Sequence, residues 1–295
     1  MIDFLIGVDG GGTATRAIVA RPDGTVLGQG RAGPSALGQG IAAAWEQVLA
    51  AVRAAFADAG MEPPPWRRCA LGAGLSGVSN RPWRDKFVAQ NKGFGKLLVE
   101  TDAFVMLVGA HAGKPGAIVA AGTGSVGEVL RPDGSRFNVG GWGFPVGDEG
   151  SGAWLGLRAV RLAQCAMDGR INAGPLVRHV WATCGADRDH LQAWCDHAGQ
   201  FAYAQLAPAI FDAEASDPAA AHLLSRAVSA LDATALALDP HGGLPLVVLG
   251  SVGKRLADRL SPAVRSRCVE AADGPAAGAL MLIRREFEKE NETRR

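Results

Sequence analysis

Residues 7–30 read GVDGGGTATRAIVARPDGTVLGQG, and residues 117–140 read AIVAAGTGSVGEVLRPDGSRFNVG. Aligned at an offset of 110 positions, the two segments are identical at eight of 24 positions without a gap. They share an apolar run, a Gly-rich turn, a second run, an Arg-Pro-Asp-Gly turn and a third run. Such turns between apolar runs are typical of β-hairpins. The repeat therefore predicts a duplicated β-hairpin unit, one copy opening each half of the chain.

The rest of the chain alternates between helical and strand patterns. Apolar spacing predicts a helix at residues 41–59, a mostly helical stretch from 152 to about 239, and a final helix at 276–290. Short strands are predicted at residues 69–71, 97–101 and 244–249. Strands and helices distributed around two related units predict an α/β protein with two lobes and a cleft between them.

Composition narrows the class of protein. The 295 residues are 48% hydrophobic and 20% charged, and the net charge of +1 lacks the basic excess of a nucleic-acid-binding protein. No apolar run approaches the ~18 residues of a membrane-spanning helix. The five cysteines are scattered without a CxxC pair, which favours a reducing, cytoplasmic setting. Glycine, at 40 residues, is about twice as frequent as usual, which predicts many tight backbone turns.

The turns after the first strand of each repeat are candidate phosphate-binding loops. Successive glycines allow backbone N–H groups to converge on an anion, and nearby hydroxyl groups add donors. We therefore expect the loops at residues 9–13 and 121–125 to bind a chain of phosphates from two sides. No P-loop motif occurs, and the GxGxxG patterns at 72–77 and 122–127 do not open a helix within a βαβ unit, so a dinucleotide-binding Rossmann fold is disfavoured.

Carboxylates and one tryptophan complete the candidate site. Asp9 and Asp102 each end a predicted strand, and Asp102 is also in position to cap the helix that follows. Asp148 lies in a Gly-rich segment that also contains Trp142. An acidic residue near phosphates can hold Mg²⁺ through water or accept a proton from a hydroxyl group, and a tryptophan between glycines can stack on a sugar. Turn, cap and core-covering roles are the structural alternatives for these residues.

Five motifs resemble, in order and spacing, the N-acetylglucosamine kinases of the actin-like ATPase and sugar kinase superfamily. They are DGGGT at 9–13, TDA at 101–103, GTGS at 122–125, GGWG at 140–143 and GDEGS at 147–151. The C-terminal half is also similar to bacterial glucosamine kinases at residues 109–111, 144–145, 249–251 and 260–262. The resemblance implies two actin-like lobes of ribonuclease H-like topology, residues 1–103 and 104–275. It implies that the last helix, residues 276–295, packs back on the first lobe and that the protein forms a homodimer.

The resemblance also implies ATP-dependent phosphorylation of the 6-hydroxyl of an amino sugar, with Mg²⁺. Asp102 would be the general base and contact the sugar, and Asp9 would hold Mg²⁺ through water. The phosphate contacts implied are Gly11, Gly12, Thr13, Thr123, Gly124 and Ser125. The adenosine contacts implied are Ala202, Gly250 and Ser251, and the sugar contacts are Gly141, Trp142, Gly143 and Asp148.

One departure leaves the choice of sugar open. The family places a Ser/Thr–Asn pair after the first hairpin unit, whereas this chain has Ser35-Ala36. The asparagine amide, which can both donate and accept a hydrogen bond, is therefore missing. The Trp142 loop favours N-acetylglucosamine and the C-terminal half favours glucosamine.

Three alternative interpretations agree less well with the sequence. A zinc site among His179, Cys184, His190, Cys195 and His197 is disfavoured because their spacing fits no finger or ribbon pattern. An ATPase activator of acyl-CoA dehydratases or reductases would carry cysteines for an iron–sulfur cluster, and none lies near residues 122–124. A non-catalytic sugar or ATP sensor is disfavoured because Asp102 is present.

Overall fold

The structure is a computed structural model that describes residues 2–293. The chain divides into two compact units. The first unit comprises the residues up to 115 together with those from 270 onward, and the second comprises residues 116–269.

The first unit is built on a five-stranded sheet. Its strands are β1 (Phe4–Gly10), β2 (Thr15–Ala20), β3 (Val26–Ala32), β4 (Cys69–Leu75) and β5 (Lys96–Thr101), in the order β3-β2-β1-β4-β5. β1, β2 and β3 form an antiparallel meander, whereas β4 lies parallel to β1, and β5 lies parallel to β4. β1 and β4 are buried along almost their whole length, because they occupy the middle of the sheet with helices on both faces.

The helices of the first unit cover the two faces of this sheet. They are α1 (Ile41–Asp58), α2 (Arg81–Ala89), α3 (Asp102–Ala110) and α12 (Pro275–Thr293). α1 packs on β3, and α12 packs on β1 and α3. The sheet presents glycines at the closest approaches: a Cβ added at Gly7 would lie 2.2 Å from the Ala276 carbonyl oxygen, and one at Gly30 would lie 2.1 Å from that of Ala51. Part of the glycine excess therefore serves close packing of helices on the sheet, in addition to turns.

The second unit repeats this plan with a smaller sheet and more helices. Its strands are β6 (Gly116–Ala121), β7 (Ser125–Leu130), β8 (Arg136–Gly140) and β9 (Leu246–Leu249), in the order β8-β7-β6-β9. A parallel bridge between Leu246 and Cys268 stands where β5 stands in the first unit. The helices are α4 (Gly152–Met167), α5 (Pro175–Cys184), α6 (Arg188–His197), α7 (Gln200–Ala204), α8 (Ala207–Ala213), α9 (Pro218–Leu238), α10 (Ser251–Leu256) and α11 (Pro262–Arg265).

The predicted duplicated hairpin unit is confirmed. β6, β7 and β8 form an antiparallel meander with β9 parallel to β6, as β4 is to β1. The predicted α/β class is confirmed as well. Neither GxGxxG pattern opens a helix: residues 72–75 lie within β4, and residues 125–127 lie within β7.

Two details differ from the sequence prediction. The unit boundary follows residue 115 rather than residue 103, because α3 packs against α12 and the Ala272 N–H donates to the Ala110 carbonyl. Asp102 is not the helix cap. Thr101 caps α3, since its hydroxyl oxygen accepts the Phe104 N–H at 3.1 Å, and Asp102 is the first helical residue.

Candidate active-site residues in each unit

In the first unit, the acidic candidates lie at the carboxyl ends of the parallel strands. Asp9 is the penultimate residue of β1, Asp102 follows β5, and Ser76 follows β4 between them. Because β1, β4 and β5 are parallel, these three residues share one edge of the sheet, which is where α/β proteins bind ligands. The two predicted carboxylates are therefore neighbours in the fold although 93 positions separate them in the chain.

The surroundings of both carboxylates disfavour ionisation. The pKa of Asp9 is raised to about 6 overall: burial raises it most, Arg16, whose Nη1 lies 3.4 Å from Oδ2, lowers it, and the charge of Asp102 raises it. Burial also raises the pKa of Asp102, against hydrogen bonds from the Ala103 N–H and the Ser76 side chain. A carboxylate whose pKa is raised toward neutrality is a suitable proton acceptor for a hydroxyl group.

The raised pKa of Asp9 predicts a pH-dependent loss of stability in the metal-free protein. The folded state holds a proton on Asp9 up to about pH 6, whereas an unfolded aspartate releases it near pH 3.8. The stability contribution of Asp9 therefore falls as pH rises from about 4 to 6, by about 3 kcal/mol at most. Asp9→Asn is expected to remove this dependence and to stabilise the protein at pH 7.

Thermal unfolding of wild type and Asp9→Asn between pH 4.5 and 8, without divalent cations, measures this effect. Asp85→Asn, at an exposed position on α2, is the control and should follow wild type. An Asp9→Asn protein less stable than wild type at pH 7 would contradict the assigned burial cost.

The first Gly-rich loop is held rigidly from behind. A Cβ at Gly10 would lie 2.0 Å from the Ser35 hydroxyl oxygen, and the Gly11 carbonyl accepts the N–H groups of Ser35 and Ala36 at 3.0 and 3.2 Å. Ser35 is buried and accepts a hydrogen bond from the Thr15 hydroxyl at 2.7 Å. Ser35, which matches the first residue of the family pair, thus supports the loop, and the departure from the family pattern is confined to Ala36.

The outer side of the first loop is open. A Cβ at Gly11 would meet no atom within 4 Å, and one at Gly12 would meet only the Gln39 amide nitrogen at 3.9 Å. Within residues 2–293, the N–H groups of Gly12 and Thr13 donate to no protein acceptor. Unsatisfied backbone donors beside open space form a place where an anion can bind.

The second Gly-rich loop is held in place by hydrogen bonds from the first turn of α4. The carbonyls of Gly122 and Thr123 accept the N–H groups of Gly152 and Ala153 at 2.8 and 3.1 Å. These N–H groups belong to the first turn of α4, where the helix itself provides no carbonyl acceptors for them. In the described part of the chain, the N–H groups of Thr123 and Gly124 have no protein acceptor, as in the first loop. Both copies of the repeat therefore carry backbone N–H groups that donate to no protein acceptor among the described residues.

Asp148, near the C-terminal end of the Gly-rich segment at residues 140–150, contacts the second loop. The residue is buried and adopts a left-handed backbone conformation, with φ of 63°. Its Oδ1 accepts the Ser125 N–H at 3.1 Å, and its Oδ2 accepts the Gln200 amide at 2.7 Å. Burial raises its pKa, the Ser125 hydrogen bond lowers it, and Glu149 raises it. Asp148 thus contacts the loop that is predicted to bind phosphates.

Gly250 and the segment around Trp142 adjoin the same loop. Gly250 has φ of 83°, and a Cβ there would lie 2.2 Å from the carbonyl oxygen of Ala121, at the end of β6. The Gly141 N–H donates to the Ser125 carbonyl at 3.3 Å, which attaches the Trp142 segment to the start of β7. Trp142 itself is 83% exposed, so its indole is available to stack on a ligand.

The predicted residues thus form two groups. The first unit brings together Asp9, Gly11, Gly12, Thr13 and Asp102. The second unit brings together Thr123, Gly124, Ser125, Gly141, Trp142, Gly143, Asp148, Gly250 and Ser251, with Ala202 half-buried on α7, two residues after Gln200. Sequence reasoning missed Ser35 as a loop support, Ser76 and Gln200, because nothing in their local pattern links them to residues far away in the chain.

The sequence disfavours a zinc site and a membrane-spanning helix, and the structure bears on both. No group of three or more His, Cys, Asp or Glu side chains suited to a metal ion occurs among the described residues. His190 instead contacts the Asp187 carboxylate, at 2.8 Å. In the described part of the chain, no helix has the length and apolar character needed to cross a membrane.

Paired meanders, each with a Gly-rich loop after its first strand, define an actin-like α/β protein of the sugar kinase and ATPase class. Residues 6–282 match the model of the BadF/BadG/BcrA/BcrD ATPase family, and the chain belongs to that family.

Individual relatives agree with this membership. Glucosamine kinase GspK of Vibrio cholerae is 33% identical over 282 residues, covering 95% of this chain and 96% of the relative. The crystal structure of a candidate N-acetylglucosamine kinase from Chromobacterium violaceum is 48% identical, with a TM-score of 0.91, covering 96% of this chain and 99% of that one. A glucokinase of the ROK family from Streptomyces griseus shares the fold, with a TM-score of 0.52. It is 18% identical, and the match covers 94% of this chain and 97% of that one. The resemblance to amino-sugar kinases and the actin-like fold class are both confirmed.

Proposed function

We propose that this protein is an ATP-dependent kinase that phosphorylates the 6-hydroxyl of an amino sugar. The observation that carries the proposal is Asp102, a carboxylate with a raised pKa at the strand edge that also holds Asp9 and the first Gly-rich loop. The similarity to a glucosamine kinase over 95% of the chain supports the same reaction.

In the first unit, Asp102 would accept the proton of the sugar hydroxyl. As the O6–H bond breaks, its proton passes to the Asp102 carboxylate, O6 bonds to the terminal phosphorus of ATP, and the bond from that phosphorus to ADP breaks. The Ser76 side chain and the Ala103 N–H hold the Asp102 carboxylate in place. Positioning of this kind supplies most of the protein's contribution to phosphoryl transfer.

The Gly-rich loops would contact phosphates in both units. Thr13 and Thr123 occupy equivalent positions of the repeat, and each N–H lies in an open loop. Ser251, at the start of α10, and Ala202 would approach the adenosine, with Gly250 between Ser251 and the end of β6. The sugar would be lined by Gly141, Trp142 and Gly143. Asp148 would lie where the sugar site meets the phosphate site.

Asp9 fits a role in holding Mg²⁺. Its carboxylate is buried at a strand end, 3.4 Å from one arginine nitrogen, and residues 2–293 provide no tighter ion pair to it. Mg²⁺ in nucleotide sites usually takes one or two carboxylates and keeps several waters. When bound, the ion neutralises phosphate charge. The nearby cation would also favour the ionised form of Asp9, offsetting the burial that raises its pKa.

We expect glucosamine to be preferred over N-acetylglucosamine. Ala36 has no polar side-chain atom, and its N–H already donates to Gly11, so this position offers no side-chain hydrogen bond to an acetamido group. A glucosamine kinase is among the relatives that cover nearly the whole chain, beside the candidate N-acetylglucosamine kinase from Chromobacterium violaceum. A cytoplasmic location, predicted from the cysteine pattern, and a homodimer, implied by the family resemblance, remain predictions.

Coupled ADP release with Mg²⁺ and ATP tests the proposal. Glucosamine, N-acetylglucosamine, glucose and N-acetylmannosamine are compared at equal concentrations, and the phosphorylated position is assigned by NMR. Turnover highest with an amino sugar and a phosphate on O6 is expected. No sugar-dependent ADP release with any of the four would overturn the proposal and favour an ATPase activator or a sensor.

Gly11→Ala is expected to weaken nucleotide binding without weakening the fold. The added methyl group meets no protein atom within 4 Å, and replacing glycine by alanine restricts the unfolded chain. The methyl group would occupy the space assigned to phosphate, so the KM for ATP should rise about 10-fold or more.

Steady-state kinetics and thermal unfolding of Gly11→Ala measure both effects. Gly243→Ala is the matched control, because its methyl group also meets nothing within 4 Å but lies in the turn before β9. An unchanged KM for ATP in Gly11→Ala would remove the first loop from the nucleotide site.

A further inference from the structure

Gln200, the first residue of α7, lies directly behind the second Gly-rich loop. Its Nε2 donates to Asp148 Oδ2 at 2.7 Å, and the other oxygen of that carboxylate accepts the Ser125 N–H. A continuous chain of hydrogen bonds therefore runs from α7 through Asp148 to the loop. The residues it connects are 52 and 23 positions apart in the sequence.

The Asp148 and Gln200 side chains also leave little space beside the second Gly-rich loop. A Cβ added at Gly124 would lie 2.9 Å from both Asp148 Oδ1 and Gln200 Nε2. The Gln200 amide and the Asp148 carboxylate thus pack against the backbone of the loop itself. A side chain at position 124 would push both groups away.

Asp148 needs external support to stay in its observed conformation. A non-glycine residue with φ of 63° occupies a sparsely populated backbone region, which persists only where the surroundings hold it. Its carboxylate is buried, so the loss of either hydrogen-bond donor would leave an acceptor without compensation. Gln200 supplies one of these two donors.

The helix that carries Gln200 is itself firmly seated. A Cβ at Gly156 of α4 would lie 1.9 Å from the Tyr203 carbonyl oxygen, and one at Gly152 would lie 3.3 Å from the Ala204 Cβ. α7 therefore lies in close contact with α4, whose first turn holds the Gly122 and Thr123 carbonyls. The loop is supported from one side by α4 and from the other by Asp148 and Gln200.

We propose that Gln200 is a positioning residue for nucleotide binding. By holding Asp148 against Ser125, it keeps the Thr123 and Gly124 N–H groups in the orientation that receives phosphate. This inference rests on the proposed function, and it assigns the principal role of Asp148 to the phosphate loop rather than to the sugar.

Gln200→Leu is the first test, because leucine fills similar space without a hydrogen-bond donor. The KM for ATP and the Kd for ADP measured by calorimetry should both rise about 10-fold or more. The KM for the sugar and the kcat at saturating ATP should stay within about 3-fold of wild type. Gln205→Leu is the matched control, since Gln205 is exposed just after the same helix and should leave all four values unchanged.

A reversed pair tests the hydrogen bond itself. Gln200→Glu places two carboxylates against each other and should weaken ADP binding more than Gln200→Leu does. Adding Asp148→Asn restores a donor–acceptor pair, with the asparagine amide donating to Glu and its oxygen still accepting the Ser125 N–H. The double variant should recover most of the ADP affinity, which a general loss of packing would not allow. It also serves as the folded test protein if Gln200→Leu does not fold.

The outcomes separate this inference from the proposed function. Wild-type protein that binds ADP but shows no sugar-dependent turnover would overturn the kinase assignment, while the ADP titrations would still judge Gln200. Unchanged ADP binding in Gln200→Leu, a rise confined to the sugar KM, or a double variant weaker than Gln200→Glu would overturn the positioning role. Wild-type protein that binds no ADP would overturn both.

Discussion

Asp102→Asn should lower kcat by about 10²–10⁴-fold while leaving sugar binding nearly unchanged. Asparagine has the size of aspartate and keeps an oxygen to accept the Ala103 N–H, which lies 2.9 Å from Oδ1. It cannot accept a proton from a hydroxyl group. The expected loss follows from the chemistry of the carboxylate rather than from the fold, because removing a buried charge does not destabilise this site.

Steady-state turnover and calorimetric titration with the preferred amino sugar measure the two parts of this prediction. Asp85→Asn is the control, because it removes the same charge from an exposed helix of the same unit. A kcat within a few-fold of wild type in Asp102→Asn would exclude Asp102 as the general base. A lost sugar affinity with retained kcat would assign it to binding alone.

Gly278→Ala is expected to destabilise the first unit by about 3 kcal/mol. Gly278 lies in α12 where that helix crosses α3, and a Cβ there would lie 1.9 Å from the Val105 carbonyl oxygen and 2.6 Å from the Gly109 nitrogen. Alanine is the better helix former by about 1 kcal/mol, so local propensity alone predicts stabilisation. The clash is with backbone atoms that cannot rotate away, so the two helices must separate. The energy lost in helix–helix packing therefore exceeds the gain in helix propensity.

Thermal unfolding measures this effect, and a fall of roughly 10 °C in Tm is expected for the unit that contains α12. Gly274→Ala is the matched control, since Gly274 lies four residues earlier and its added methyl group would meet nothing within 4 Å. Equal stability of Gly278→Ala and wild type would show that α3 and α12 do not need this close approach.

Much of the fold could be predicted from local pattern. The repeat at an offset of 110 positions predicted two equivalent β-meanders, because strand and turn signals depend on neighbouring residues. The same alignment paired Thr13 with Thr123, and in both loops the threonine N–H lies without a protein acceptor among the described residues. The division into compact units after residue 115 depends on the packing of α3 against α12, which joins segments about 170 positions apart, so local pattern could not place it.

The candidate site was predictable only as a set of residue types and positions. The two Gly-rich loops, the strand-end carboxylates Asp9 and Asp102, and the exposed Trp142 follow from sequence, since each belongs to a short motif. The support of Asp102 by Ser76 and of Asp148 by Gln200 arises from tertiary packing. The raised pKa of Asp9, about 6, arises from packing as well, mainly through burial. Desolvation and hydrogen bonding between distant segments depend on how the elements pack, and no local periodicity records that packing.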